Sequence, residues 1–139
     1  MDKLWKFVKN DDVFHEIVEG RIHHWHYHPQ IMELGQTYMV KVTIPVGKGH
    51  DFHKHPGMNE ILYFLEGKAE QWIEDEKQIL RPGDSIYLDP DVVHATFNVG
   101  DTDLVFLAVL SPSQGWEAGT IDVSRDPPYN SYRNNVSTI

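Results

Sequence analysis

Apolar and polar residues alternate along much of this chain with the period of a β-strand. Between Thr37 and Ile44, the side chains of Tyr38, Val40, Val42 and Ile44 share one face while Thr37, Met39, Lys41 and Thr43 share the other, the pattern of a half-buried strand. Pro45, Gly47 and Gly49 end it. Further strands are expected at Glu60–Leu65, Lys68–Ile73, Ser85–Leu88, Val92–Asn98 and Asp103–Leu110. Glu66-Gly67 reads as the turn of a short hairpin that sets Phe64 opposite Ala69, Leu62 opposite Gln71 and Glu60 opposite Ile73, all on the inner side. The other side would carry Ile61, Tyr63, Leu65 and Trp72. A face that apolar implies another sheet, the chain's own termini or a second subunit, and a homodimer is the expectation.

The ends of the chain are less regular. Val13–Val18 and Arg21–Tyr27, separated by Glu19-Gly20, form an expected hairpin within residues 1–33. Its run His23-His24-Trp25-His26-Tyr27-His28 would place His24, His26 and His28 on one face and His23, Trp25 and Tyr27 on the other. No carboxylate or turn follows at ligand spacing, so packed aromatics and solvated or hydrogen-bonded imidazoles are the reading there, as for His15. From about residue 112 to 139 the composition turns to Ser, Pro, Gly and Asn. This segment is too poor in core residues to fold by itself, and Trp116, Tyr129 and Tyr132 are expected to pin it to the barrel.

Chemistry concentrates between residues 47 and 98. The first block is Gly47-x5-His53-x-His55-x4-Glu60-x6-Gly67; the second is Pro82-Gly83-Asp84, then Pro90, His94 and Asn98. On a strand, His53 and His55 project to one side while Lys54 points away. His50 differs in parity from His53 and should face away if the strand is regular. Pro56 and Gly57 allow the chain to reverse and bring Glu60 back toward the imidazoles, and His94 arrives as a fourth ligand from a distant strand. An isolated His-x-His pair is more often a solvated pair than a metal site. Here a carboxylate, two framing glycines and a distant His-x3-Asn accompany it, and imidazole nitrogen with carboxylate oxygen suits Fe, Ni, Zn, Cu or Mn.

These two blocks resemble the two-motif signature of the cupin superfamily, carried by Gly47, His53, His55, Glu60, Gly67, Pro82, Gly83, Asp84, Pro90, His94 and Asn98. One departure stands out: Asp91 occupies the place where many members have Gly, and Pro90 comes one position late. The resemblance implies an all-β, double-stranded β-helix or jelly-roll barrel over about residues 34–111 of a single domain spanning 1–139. It also implies one divalent transition metal (Fe, Mn, Ni or Zn) held by His53, His55, Glu60 and His94.

With nine histidines, no cysteine and 139 residues, the chain has neither disulfides nor thiolate ligands. Twelve basic against twenty-one acidic residues give a net charge of −9, which opposes a nucleic-acid partner. No charged segment followed by an apolar one opens the chain, and no apolar stretch approaches membrane-spanning length. A cytoplasmic protein without a membrane partner is expected.

The substrate expected from this sequence is a small molecule. Its pocket is expected among Met39, Lys41, Leu62, Phe64, Gln71, Ile73 and Asn98, with Gln71 as a polar contact. The catalytic residues themselves are unknown at this stage. An oxygenase acting on an enolisable or hydroxylated compound is the first reading. A non-redox isomerase, cyclase or lyase on a sugar acid or keto compound is the second, with Lys41 and Arg81 as the nearby cations; a non-catalytic binding protein is the third.

Overall fold

The computed structural model describes residues 5–28, 37–112 and 119–133. The alternation seen in the sequence becomes eleven strands: β1 (Phe14–Val18), β2 (Arg21–Tyr27), β3 (Tyr38–Ile44), β4 (Gly49–Lys54), β5 (Asn59–Glu66), β6 (Ala69–Ile73), β7 (Glu76–Leu80), β8 (Ser85–Leu88), β9 (His94–Asn98), β10 (Leu104–Ser111) and β11 (Ile121–Asp122). They build two antiparallel sheets, one ordered β1-β2-β3-β10-β5-β8 and the other β11-β4-β9-β6-β7. This is the expected double-sheet jelly roll. No described helix is long and apolar enough to cross a membrane.

The core lies between the sheets, where Tyr38, Val40, Val42 and Ile44 of β3 meet Leu62 and Phe64 of β5 and Leu104, Phe106, Ala108 and Leu110 of β10. Each such side chain contributes about 1.5–3 kcal/mol by leaving water. A second apolar cluster sits on the outer face of the five-stranded sheet. There Phe52, Trp72, Val93, Ala95 and Phe97 are covered by Val123, Tyr129 and Tyr132 of the C-terminal segment. Phe52 stacks on Tyr129, and Trp72 on Tyr132 with nearly parallel rings. Trp116 of the expected pinning set lies outside the described residues.

The Glu66-Gly67 turn does not make a hairpin. β5 pairs with β10 and β8, whereas β6 pairs with β7 and β9, so these two residues carry the chain from one sheet to the other. Gly67 is required at that crossing: its φ is +87°, and a Cβ there would meet Asp103 O at 2.6 Å. The actual hairpin partner of β6 is β7, which sequence reading missed because Glu76, Lys77 and Gln78 on an exposed edge show no apolar alternation. The error also misassigned Trp72, which lies on the other sheet from Ile61, Tyr63 and Leu65 and is buried under the tail, while those three stay partly exposed. At the departure from the family pattern, Asp91 adopts the left-handed conformation itself, with φ +68°, a region that Asp tolerates better than most residues. The turn is thus kept without glycine.

Candidate metal centre and its cavity

Four elements converge at one end of the space between the sheets. His53 ends β4, His55 follows it, His94 opens β9, and Glu60 is the second residue of β5. His53 and His94 are direct cross-strand partners, which sets their ring centroids 4.1 Å apart. Gly57, at φ +75°, turns the chain between His55 and Glu60. One nitrogen from each of His53, His55 and His94 lies within 4.8 Å of the other two, and all three residues are buried. Glu60 Oε1 is 2.9 Å from His94 Nε2 and 3.4 Å from His55 Nε2. It is buried and makes no directed hydrogen bond.

The outer nitrogens of the three imidazoles are already engaged. His53 Nδ1 faces Asp51 O at 2.6 Å, His94 Nδ1 faces Val92 O at 3.0 Å, and His55 Nδ1 lies 3.3 Å from both Gly119 O and Thr120 Oγ1. A histidine that donates Nδ1–H to a carbonyl keeps a lone pair at Nε2, the arrangement in which metal-binding imidazoles are held. Three such nitrogens beside an orphaned carboxylate oxygen fit one divalent transition ion. Metal–nitrogen bonds of about 2.1 Å put the ligand atoms of one ion about 3–4 Å apart, comparable with the spacing found.

The electrostatics agree with a site for a cation. Burial pushes the Glu60 carboxyl up, but the imidazoles of His55 and His94 outweigh it and hold the group well below the usual carboxylate range. Burial pulls His53 far below 6.5, so its ring is neutral. Burial pulls His55 down, but the charge and hydrogen bond of Glu60 and the Gly119 carbonyl together outweigh it and leave the imidazole above 6.5.

His50 does not face away. A bulge between His50 and His53 puts three residue steps of β4 against two of β9, which reverses the parity of a regular strand. The His50 ring therefore stacks on His53, 3.5 Å between centroids and 7° from parallel, and lines the same cavity. Burial also keeps it neutral.

That cavity has a volume of about 290 Å³. Its walls are apolar, from Trp25 on β2, Tyr38, Val40 and Val42 on β3, Met58, and Phe106, Ala108 and Leu110 on β10. The Tyr38 hydroxyl donates to the Met58 sulfur. None of the seven residues expected to form the pocket lines it. Met39 and Lys41 take the opposite face of β3 from the buried Tyr38, Val40 and Val42. Leu62 and Phe64 are buried deeper in the core. Gln71 is inside the barrel as expected, but it is tied up: Thr96 Oγ1 donates to its Oε1 at 2.6 Å, its Nε2 donates to Trp72 O at 3.1 Å, and with Ile73 it lines a separate cavity of about 180 Å³. Asn98 locks a turn, donating to Ile44 O and Thr102 O and accepting from the Gly100 amide. Arg81 sits in the exposed turn before β8, its amide bonded to Asp84.

Sequence reasoning missed the wall made by the N-terminal hairpin. β2 pairs with β3 and extends the six-stranded sheet over the metal end, so the alternating set Arg21, His23 and Trp25 faces the cavity together with Glu16 and Val18 of β1. The signal was the period-two spacing of those three residues, obscured by the neighbouring histidines. A bulge between Trp25 and Tyr27 also breaks the expected grouping of His24, His26 and His28: His24 packs on His15, while His28 is buried against Trp25. Among the described residues, no second histidine or acidic group assembles a metal site.

Residues 40–110 match the cupin domain. The chain belongs to the cupin family. This cupin is 34% identical over 70 residues to an oxalate-binding protein of Thermotoga maritima, covering 50% of this chain and 58% of that one. It is 35% identical over 79 residues to a glucose-6-phosphate isomerase of Pyrococcus furiosus, covering 53% and 41%. The chain thus spans only about half the length of these relatives. Among solved structures, KdgF from Halomonas sp. is similar with a TM-score of 0.68 and 25% identity, over 77% of this cupin and 94% of that protein.

Proposed function

We propose that this cupin is a metal-dependent enzyme that acts on a small enolisable or hydroxylated organic molecule, with His53, His55, His94 and Glu60 holding one divalent transition ion. The observation that carries the reading is the convergence of three carbonyl-anchored imidazoles on the unpartnered Glu60 oxygen at the edge of a largely apolar cavity. When bound, the ion would polarise substrate oxygens and stabilise the negative charge that develops on them.

The chain's own residues do the rest. The carbonyls of Asp51, Val92 and Gly119 hold the imidazoles in the tautomer that presents Nε2 inward. Val40, Val42, Phe106 and Leu110 exclude water from the substrate and strengthen electrostatic interactions beside it. His50, neutral, stacked on His53 and lining the cavity, would serve as the proton acceptor for a substrate bound there.

The oxygenase reading rests on those apolar walls. A non-redox isomerase, cyclase or lyase is the second reading, favoured by the similarity to a glucose-6-phosphate isomerase. Elemental analysis of protein purified without a metal-affinity tag, followed by oxygen consumption on a panel of diketones, catechols and flavonols, separates them. Oxygen uptake supports the first; anaerobic turnover supports the second. Stoichiometric metal with no turnover on the panel, with or without oxygen, would leave a binding protein. The outer face of the six-stranded sheet, with Ile61, Tyr63, Leu65 and Tyr87 partly exposed, supports pairing with a second copy of the chain.

A further inference from the structure

Among the described residues, Arg21 is the one lysine or arginine in the lining of the metal cavity, and it comes from a segment outside the family's matched residues. Its side chain is half-buried and held at two points: Nε donates to His23 Nε2 at 3.2 Å, and Nη1 donates to Glu19 O at 2.9 Å. The holding group is itself held. His23 Nδ1 lies 3.0 Å from Glu16 Oε1, which also accepts from Trp25 Nε1, so the chain Glu16, His23, Arg21 fixes one imidazole tautomer and one guanidinium orientation. Burial pulls the guanidinium down from 12.5 to about 10, which leaves it charged at neutral pH.

What this cation lacks is a direct ion pair: the charges of Glu16, Glu19 and Asp122 act on it from a distance. No carboxylate oxygen among the described residues lies within ion-pair distance of it, and Nη2 has no hydrogen-bond partner there. A half-buried charge without a partner is costly, and a guanidinium held by its Nε and one Nη still presents a donor toward an incoming oxyanion. Arg21 also borders a second recess of about 390 Å³ that shares His50 and His53 with the metal cavity.

The geometry points to Arg21 as the anchor for a carboxylate of the substrate, with His23 and Glu16 as its positioning residues; the substrate is then a small organic acid whose other end meets the metal. The inference rests on the proposed metal centre and names the class of molecule it takes. A monoanion suits the site better than a phosphate dianion, because a single arginine faces the space and Glu16 and Glu60 share its lining. The apolar side chains that line the same cavity, and its volume of about 290 Å³, suit a short carbon skeleton.

A pair of probes separates the anchor from the metal. The monohydroxamates of succinic and glutaric acid bring a metal-binding group and a distal carboxylate; their carboxamide counterparts keep the first and neutralise the second. Titration calorimetry on zinc-loaded protein, with zinc measured in each sample, is expected to show the better-fitting acid binding about ten- to a hundredfold tighter than its amide. Arg21→Gln should erase that preference while retaining zinc and amide affinity, and Arg21→Lys should restore part of it. His23→Leu should reduce the preference severalfold. Equal binding of acid and amide by the wild type, or an undiminished preference in Arg21→Gln, overturns the anchor. A wild type that takes no zinc instead overturns the metal centre, and succinate binding to wild type against Arg21→Gln then tests the arginine alone.

Discussion

Phe52 and His53 are neighbours in sequence, yet they belong to two different kinds of protein interior. Phe52 points to the outer face of the five-stranded sheet, into an aromatic cluster sealed by Tyr129 and Tyr132, where every neighbour adds to packing. His53 points to the inner face, into a cluster of imidazoles beside a carboxylate oxygen that no hydrogen bond satisfies. One face of the strand stabilises the fold; the other leaves polar atoms under-satisfied and ready for a ligand. Buried polar groups without partners cost about 1–3 kcal/mol each, so the packed face offsets what the site gives up.

If that division holds, each face can be damaged without the other. The largest effect is expected from removing the ligands: His53→Ala with His94→Ala should lower metal affinity by more than about 100-fold, since even groups behind the ligands cost 10–100-fold when lost. Elemental analysis beside circular dichroism would show metal gone and fold kept. The converse change is Trp72→Ala, which removes a buried indole stacked on Tyr132 and hydrogen-bonded to Glu70. It should cost about 3–5 kcal/mol in urea unfolding while the folded fraction still takes up metal.

A smaller effect follows from His55, whose proton is held more tightly than usual because the charge and hydrogen bond of Glu60, with the Gly119 carbonyl, together outweigh burial. Without metal, that proton stabilises the fold below pH 6.5, and the contribution is lost as pH rises through the raised value. A metal ion must displace the proton, so affinity should fall as pH drops through the raised value of His55, by about tenfold per unit for one proton. Calorimetry between mildly acidic and neutral pH reads this slope. Glu60→Gln should move the window lower, because the charge that raises His55 is gone. The smallest effect on folding is expected on the far side of the molecule. Replacing exposed Ile61 and Tyr63 by Ser should change stability by less than about 0.5 kcal/mol per site, while sedimentation reports whether a dimer is lost.

The same contrast explains what could be read in advance. The strands with one buried face announced themselves by alternation, as in Tyr38, Val40, Val42 and Ile44; parity plus one turn brought His53, His55 and Glu60 together, and the resemblance to the cupin signature added His94. Local pattern does not encode which strands become neighbours. Glu66-Gly67 looked like a hairpin turn because nothing nearby reveals that β5 and β6 join different sheets, and that error carried Gln71 and Ile73 into the wrong cavity. The bulge after His50 was equally invisible, since it depends on pairing with β9. Arg21 reaches the site only because β2 pairs with β3, and the alternating pattern does not state that pairing or its register. Asn98, a marked position of the signature, proved to hold a turn together, where sequence spacing alone had suggested a place in the pocket.

The central claim is that three imidazoles and one carboxylate share a single ion. X-ray absorption at the metal edge of the zinc- or manganese-loaded protein counts those ligands directly. One ion per chain is expected, with a nitrogen and oxygen shell and the multiple-scattering signature of three imidazoles, reduced to one in the His53→Ala, His94→Ala double variant where any residual metal is bound. A wild-type spectrum with an all-oxygen shell, or with fewer than two imidazoles, would contradict it.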